Sequence, residues 1–135
     1  MQKNRWIFRS KKQRKNRPEF EAQKAVISWA RKNAEKYPPL KFLAASLNGV
    51  KLTPVQYVMA KAAGMNAGFP DLELPASRRG YHGLYIEMKS DKGRLSKDQK
   101  EWQEYLKSEK YFYYVANSAE KAILVLRWYL AVTEF

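Results

Sequence analysis

Residues 71–89 constrain the fold of this chain more than any other stretch. Asp71–Leu74 and Leu84–Lys89 alternate apolar and polar side chains, and Pro75–Gly83 between them carries proline, serine and two glycines. A period of two broken by turn-forming residues predicts an antiparallel hairpin. In its second strand Leu84, Ile86 and Met88 line one face, and Tyr85, Glu87 and Lys89 the other. A half-buried strand ordinarily sets apolar residues against solvated ones; here an acid and a base stand side by side. The fold must accommodate that pair.

The flanking segments supply helices and further strands. A helix is predicted from about Asn16, with Asn16 as cap, Pro18 in the first turn and Glu19 where a capping-box acid reaches back. Its inward stripe is Ala22, Ala25, Val26, Trp29 and Asn33, and it stops before Pro38-Pro39. Lys41–Leu47 reads as a short strand ended by Asn48-Gly49. Thr53-Pro54-Val55-Gln56 combines a cap, a first-turn proline and a capping-box glutamine. Val55, Val58, Met59 and Ala62 then form one face, and Gly64 is the stop. After the hairpin, Ser96 caps a helix to about Lys107 that stacks Gln99, Trp102 and Leu106. Tyr111–Ala116 is an aromatic-rich strand. Ser118 opens a last helix with Ala119, Ala122, Ile123, Leu126 and Leu130 facing in. This order implies an α/β (α+β) domain, a mixed central sheet with helices on its faces.

Charge divides the chain. Of its net +13, residues 1–18 hold eight Lys/Arg and no acid, leaving +5 on the rest. The reading is therefore a basic arm (1–18) on one domain (19–135), a length sufficient for a single core. An arm of this kind is the footprint of polyanion binding. A solubilising tail or contact with acidic lipid would use the same charges. Arg9, Lys11, Lys12, Arg14, Lys15 and Arg17 are the candidate DNA contacts of the arm; Arg78 and Arg79 at the hairpin tip are either further contacts or an exposed turn. Trp6-Ile7-Phe8 interrupts the arm and would dock on the body or on a second subunit. The absence of cysteine excludes disulfides and thiolate metal sites. No apolar run reaches the ~20 residues of a membrane span, and no secretory signal is evident. The expectation is a cytoplasmic protein with no membrane partner.

Asp71 and Glu87 begin and end the hairpin, so they can converge on one cation. Hard ions such as Mg2+ take oxygen ligands, commonly one or two carboxylates with several waters retained. Such an ion lowers the pKa of bound water and neutralises charge developing on a phosphodiester. Lys89, two residues after Glu87, falls on the same face, where its ammonium can orient the water or stabilise the transition state. The Met88 backbone carbonyl is a further ligand candidate. A solvated Glu87–Lys89 surface pair is the bland reading of the same spacing. His82, the lone histidine, sits in a polar turn and is not read as a ligand. Tyr111–Tyr114 are strand core and outer face rather than a stacking platform.

Five segments taken together resemble the VRR-NUC family, the virus-type replication-repair nuclease branch of the PD-(D/E)xK superfamily. They are Glu19-x-x-x-Gln23; Asn48-Gly49; Lys61-x-x-Gly64-Met65-x-Ala67-Gly68-x-Pro70-Asp71; Ile86-Glu87-Met88-Lys89; and Gly93-x-Leu95-Ser96-x-x-Gln99. The resemblance runs over roughly residues 19–130 and does not include the arm. It implies a restriction-endonuclease-like α-β-β-β-α-β core and Mg2+- or Mn2+-dependent cleavage of structured DNA. The stand-alone viral-type members it resembles act as homodimers on branched DNA such as four-way junctions. On it, Asp71 and Glu87 match metal ligands and Lys89 the catalytic lysine. Glu19 matches the first-helix glutamate that completes the acidic site, and Gln99 a glutamine on the helix after the last motif strand. Glu19 and Gln99 also fit plain capping boxes, with Glu21 the fallback for Glu19. A non-catalytic DNA-binding module on the same fold, or a nuclease directed at flaps, nicks or duplex DNA, is the alternative function.

Overall fold

The hairpin forms as its alternation requires. In the computed structural model, which describes residues 18–46, 48 and 50–132, β2 (Leu72–Leu74) pairs antiparallel with β3 (Leu84–Met88), Leu72 opposite Ile86 and Glu73 opposite Tyr85. β1 (Ala44–Ala45) pairs antiparallel with β2 on its other side, and β4 (Phe112–Ala116) runs parallel to β3. The sheet order is β1-β2-β3-β4, the expected mixed sheet. Residues 1–17 of the arm, with its candidate DNA contacts and the cap Asn16, lie outside the described residues.

Helices cover the sheet. α1 (Pro18–Lys32) and α4 (Ala119–Leu130) pack on each other, α1 also against β3 and α4 against β4. Between them lies the core: Val26 and Ala30 of α1, Leu72, Leu74, Leu84, Ile86 and Met88 of the hairpin, and Ala122, Leu126 and Tyr129 of α4. The strand face carrying Leu84, Ile86 and Met88 is therefore the core face, as the alternation predicts. Tyr129 ties the hairpin turn to α4, its hydroxyl donating to Ala76 O at 2.6 Å and accepting from Arg78 N–H at 3.2 Å. α3 (Lys97–Ser108) is the crossover between the parallel strands β3 and β4, the connection that parallel pairing demands.

Several sequence expectations shift. α1 ends at Lys32, some residues short of Pro38, and just beyond it the Asn33 side-chain amide donates to Trp29 O at 2.8 Å. Its inward stripe uses Val26 and Ala30, with Ala25 exposed. The expected strand at 41–47 contracts to Ala44–Ala45, since Pro38–Phe42 forms a 3-10 turn started by its prolines. Leu40 is buried by that turn while Phe42 is exposed.

α2 (Pro54–Ala62) forms with its Thr53/Gln56 capping box intact. It ends in a Schellman arrangement, Gly64 N–H to Lys61 O and Met65 N–H to Ala60 O, with Gly64 at φ +111°. Its apolar face does not enter the core: Val55, Val58 and Met59 are 69%, 66% and 65% exposed. The periodicity predicts a helix correctly, but periodicity carries no information about what a face meets.

Candidate active site

Extending the β2–β3 register by one residue sets Asp71 opposite Glu87. Three contacts fix the turn that delivers Asp71. The Asn48 amide donates to Phe69 O at 3.0 Å, the Trp102 indole donates to Ala67 O at 3.1 Å, and the Phe69 ring meets Trp102 edge-on at 5.0 Å. Gly68 makes the close approach possible. It sits at φ +83°, and a Cβ there would fall 2.5 Å from the Asp98 backbone carbon. Asn48 thus has a physical task, joining the segment after β1 to the Asp71 turn.

Asp71 Oδ2 accepts the Met88 backbone N–H at 2.7 Å. Glu87 is 2% exposed and hydrogen-bonds to the Asp71 carboxyl, while its Oε1 has no partner. Burial, and then the facing Asp71, push the Glu87 carboxyl well above the ordinary range; Lys89 pulls in the opposite direction and Glu19 adds to the rise. The buried hydroxyl of Tyr113 likewise lacks a hydrogen bond, and its pKa is raised by burial, then by the charges of Glu87 and Asp71. Two acids pressed together with an unsatisfied buried oxygen are what a divalent cation would relieve, so the donor set fits a hard ion.

Glu19 reaches this site from α1, accepting the Ser90 N–H at 3.3 Å. Glu21 instead faces solvent and pairs with Lys24 at 3.4 Å, so of the two it is Glu19 that borders the cavity. Glu19, Asp71, Glu87, Met88, Lys89 and Gln99 all line one cavity of about 740 Å3. Among the described residues no group of three or more acidic or histidine side chains forms a ready-made metal cage; the Asp71–Glu87 pair is the centre, with Glu19 at its margin.

Gln99 forms its expected capping box and also lies on the cavity wall. Its Oε1 accepts the Ser96 N–H at 2.8 Å, completing the capping box, while the side chain still lines the cavity. The hairpin arginines are tied to the fold more than their position suggests. Arg79 donates from Nε and Nη2 to Trp128 O at 3.0 and 2.7 Å, with its guanidinium 4.1 Å from the Trp128 ring centre. It satisfies a carbonyl near the end of α4, so the guanidinium is held against α4 rather than left loose in an exposed turn. Arg78 Nη1 is held by Ser77 O at 2.8 Å. His82 is exposed and meets Tyr111 edge-on, away from the carboxylates.

Residues 7–120 match the VRR-NUC domain family. The chain belongs to that family. A solved structure described as a VRR_NUC domain protein superposes with a TM-score of 0.71 at 30% identity, over 87% of this chain and 92% of that one. No curated protein matches the chain. The family gives this VRR-NUC domain a nuclease fold with DNA as the partner class. The family match begins at residue 7, inside the basic segment, earlier than the resemblance at residues 19–130 reaches. Among the described residues no helix is long and apolar enough to cross a membrane. Two features of the VRR-NUC site escape sequence reasoning. Tyr113 reads from sequence only as strand core or outer face, and Tyr57 of α2 also lines the cavity. The alternation of β4 puts Tyr113 opposite Tyr85 on the Glu87 face, a signal that appears only once the parallel pairing is known.

Proposed function

We propose that this VRR-NUC protein is a Mg2+- or Mn2+-dependent structure-selective endodeoxyribonuclease that cuts branched DNA as a homodimer. The observation that carries the reading is the Asp71–Glu87 carboxyl pair, beside Lys89 in an open cavity. Asp71 and Glu87 offer the oxygen ligands, with Glu19 and the Met88 carbonyl able to complete the set. When bound, the cation acidifies a water and offsets charge on the phosphate. Lys89 orients that water and faces the charge that builds on the phosphoryl oxygens. Gln99 supports the site from the start of α3. Met88 N–H holds Asp71 in place throughout. The arm grips flanking phosphates, and the homodimer follows from the resemblance to stand-alone members.

A binding-only module on this fold is the second reading, favoured by the lack of a three-acid cage among the described residues. Because Mg2+ commonly takes only one or two carboxylates, that lack does not outweigh the intact acid–acid–lysine set. The test is a panel of labelled four-way, flap, splayed, nicked and linear DNAs with Mg2+, Mn2+ or chelator. Metal-dependent product from junctions above linear duplex is expected. No metal-dependent product from any substrate would establish the binding-only reading, and preference for flaps or nicks would change the target while keeping the chemistry. Sedimentation of the free protein reads the dimer.

A further inference from the structure

The cavity around Asp71 and Glu87 is much larger than an ion needs. At roughly 30 Å3 per water, a fully hydrated cation fills only a fraction of its 740 Å3. Its far wall is α2. Pro54, Tyr57 and Lys61, at spacings of three and four on one helical face, all line the cavity. No residue of α2 is buried, so the core does not account for the ring of Tyr57. That ring is 52% exposed and has no aromatic or hydrogen-bonding partner among the described residues, and Lys61 makes no ion pair among them. Val50, Leu52 and Met65 supply an apolar surround.

Resting on the nuclease reading above, we infer that this wall is a nucleotide pocket. Tyr57 stacks on the base of an unpaired nucleotide adjoining the scissile phosphate, and Lys61 holds the neighbouring phosphate. A flat ring with a cation one turn along the helix matches the two chemical faces of a nucleotide: a π-surface and an anion. A base within duplex cannot present its face to a side chain without leaving the stack. The pocket therefore favours strands already opened at a branch, flap or single-stranded end, and gives the site a structural basis for selecting them.

The test measures binding of a splayed DNA in chelator, where no cleavage occurs, with an abasic residue walked along the single-stranded part. In the wild type one position weakens binding by about ten-fold, the usual worth of a base–aromatic stack. Tyr57→Leu loses a similar factor on intact DNA and no longer responds to the abasic residue; Tyr57→Phe keeps both properties. 5-Iodouracil at the sensitive position crosslinks to Tyr57. Lys61→Ala lowers the log–log salt slope by about 0.7, the value for one single-strand phosphate, and an unchanged slope removes Lys61 from the pocket. Wild-type binding indifferent to every abasic position, or Tyr57→Leu binding intact DNA as tightly as wild type, overturns the proposal. Since Tyr57 is exposed, an unchanged melting temperature shows that its variants fold. Cleavage without an abasic effect overturns the pocket alone; an abasic effect without metal-dependent cleavage overturns the nuclease reading alone.

Discussion

Asp71 Oδ2 accepts the Met88 backbone N–H at 2.7 Å, which holds the aspartate carboxyl against that of Glu87, the preceding residue of β3. One hydrogen bond thus joins the start of the hairpin to the end of its second strand and sets the spacing of the two acids. The aspartate has a structural duty as well as a proposed chemical one, and the two separate by choice of substitution.

Asp71→Asn keeps an acceptor for Met88 N–H and removes the charge. It is expected to melt near the wild type, bind DNA normally and lose cleavage by at least about a hundred-fold, as for loss of one electrostatic group in a site. Asp71→Ala also strands a backbone donor and should lose ~1–3 kcal/mol of stability besides. Lys89→Ala should abolish cleavage with binding retained. Retained Mg2+-dependent cleavage in Asp71→Asn or Lys89→Ala would remove those residues from the chemistry.

The Glu87 carboxyl, raised by burial and then by Asp71, gives stability a pH dependence. A folded pKa above the unfolded value means that the protonated acid is favoured by folding. Its stabilising contribution is full below the unfolded value and is lost as pH climbs toward the raised value of about 9. Metal-free protein should therefore lose melting temperature across that window, and Glu87→Gln, which carries no charge, should lose less. On the proposed reading Mg2+ would bind the ionised pair, so its affinity would rise with pH. At about 100-fold over its Kd it would add ~2.7 kcal/mol to wild type and little to Glu87→Gln. Calorimetric melting with and without Mg2+ reads both effects.

Gly68 and Gly64 both have positive φ, but only Gly68 is crowded. Gly64→Ala should cost ~1–2 kcal/mol from backbone strain alone. Gly68→Ala adds a collision with the Asp98 backbone and should cost ~2–5 kcal/mol. By displacing the Phe69–Asp71 turn it should also reduce cleavage by about a hundred-fold. Equal melting temperatures for the two variants would show that the Asp98 backbone yields freely.

Deleting residues 1–17 removes eight cationic side chains. DNA affinity should fall, and the salt dependence should flatten by about 0.9 in log–log slope for each duplex phosphate that the arm no longer neutralises. A deletion variant whose slope matches the full chain would assign the arm another role.

Much of this molecule is legible in local chemistry. Thr53 with Gln56 and Ser96 with Gln99 announce two helix starts, because a side chain three residues from its backbone partner needs no distant help to cap it. Alternation in Leu84–Lys89 puts Glu87 and Lys89 on one face, since strand geometry alone dictates that period. Arg79 eludes such reasoning for the opposite cause: its partner, the Trp128 carbonyl, lies 49 residues away. The acid–acid–lysine pattern is likewise visible, but whether Glu19 or Glu21 joins it is not. That choice depends on how α1 lies against the end of β3.

The amino-acid order by itself determined the hairpin and the capped helices, the facing of Tyr85, Glu87 and Lys89, and the chemical types available for the proposed metal-dependent site. Only tertiary structure decided that Asp71 stands opposite Glu87, that Tyr113 lies on the Glu87 face, and that α2 turns Tyr57 and Lys61 toward them while burying nothing. Periodicity fixes which side chains share a face; packing and strand pairing between distant segments fix what that face meets.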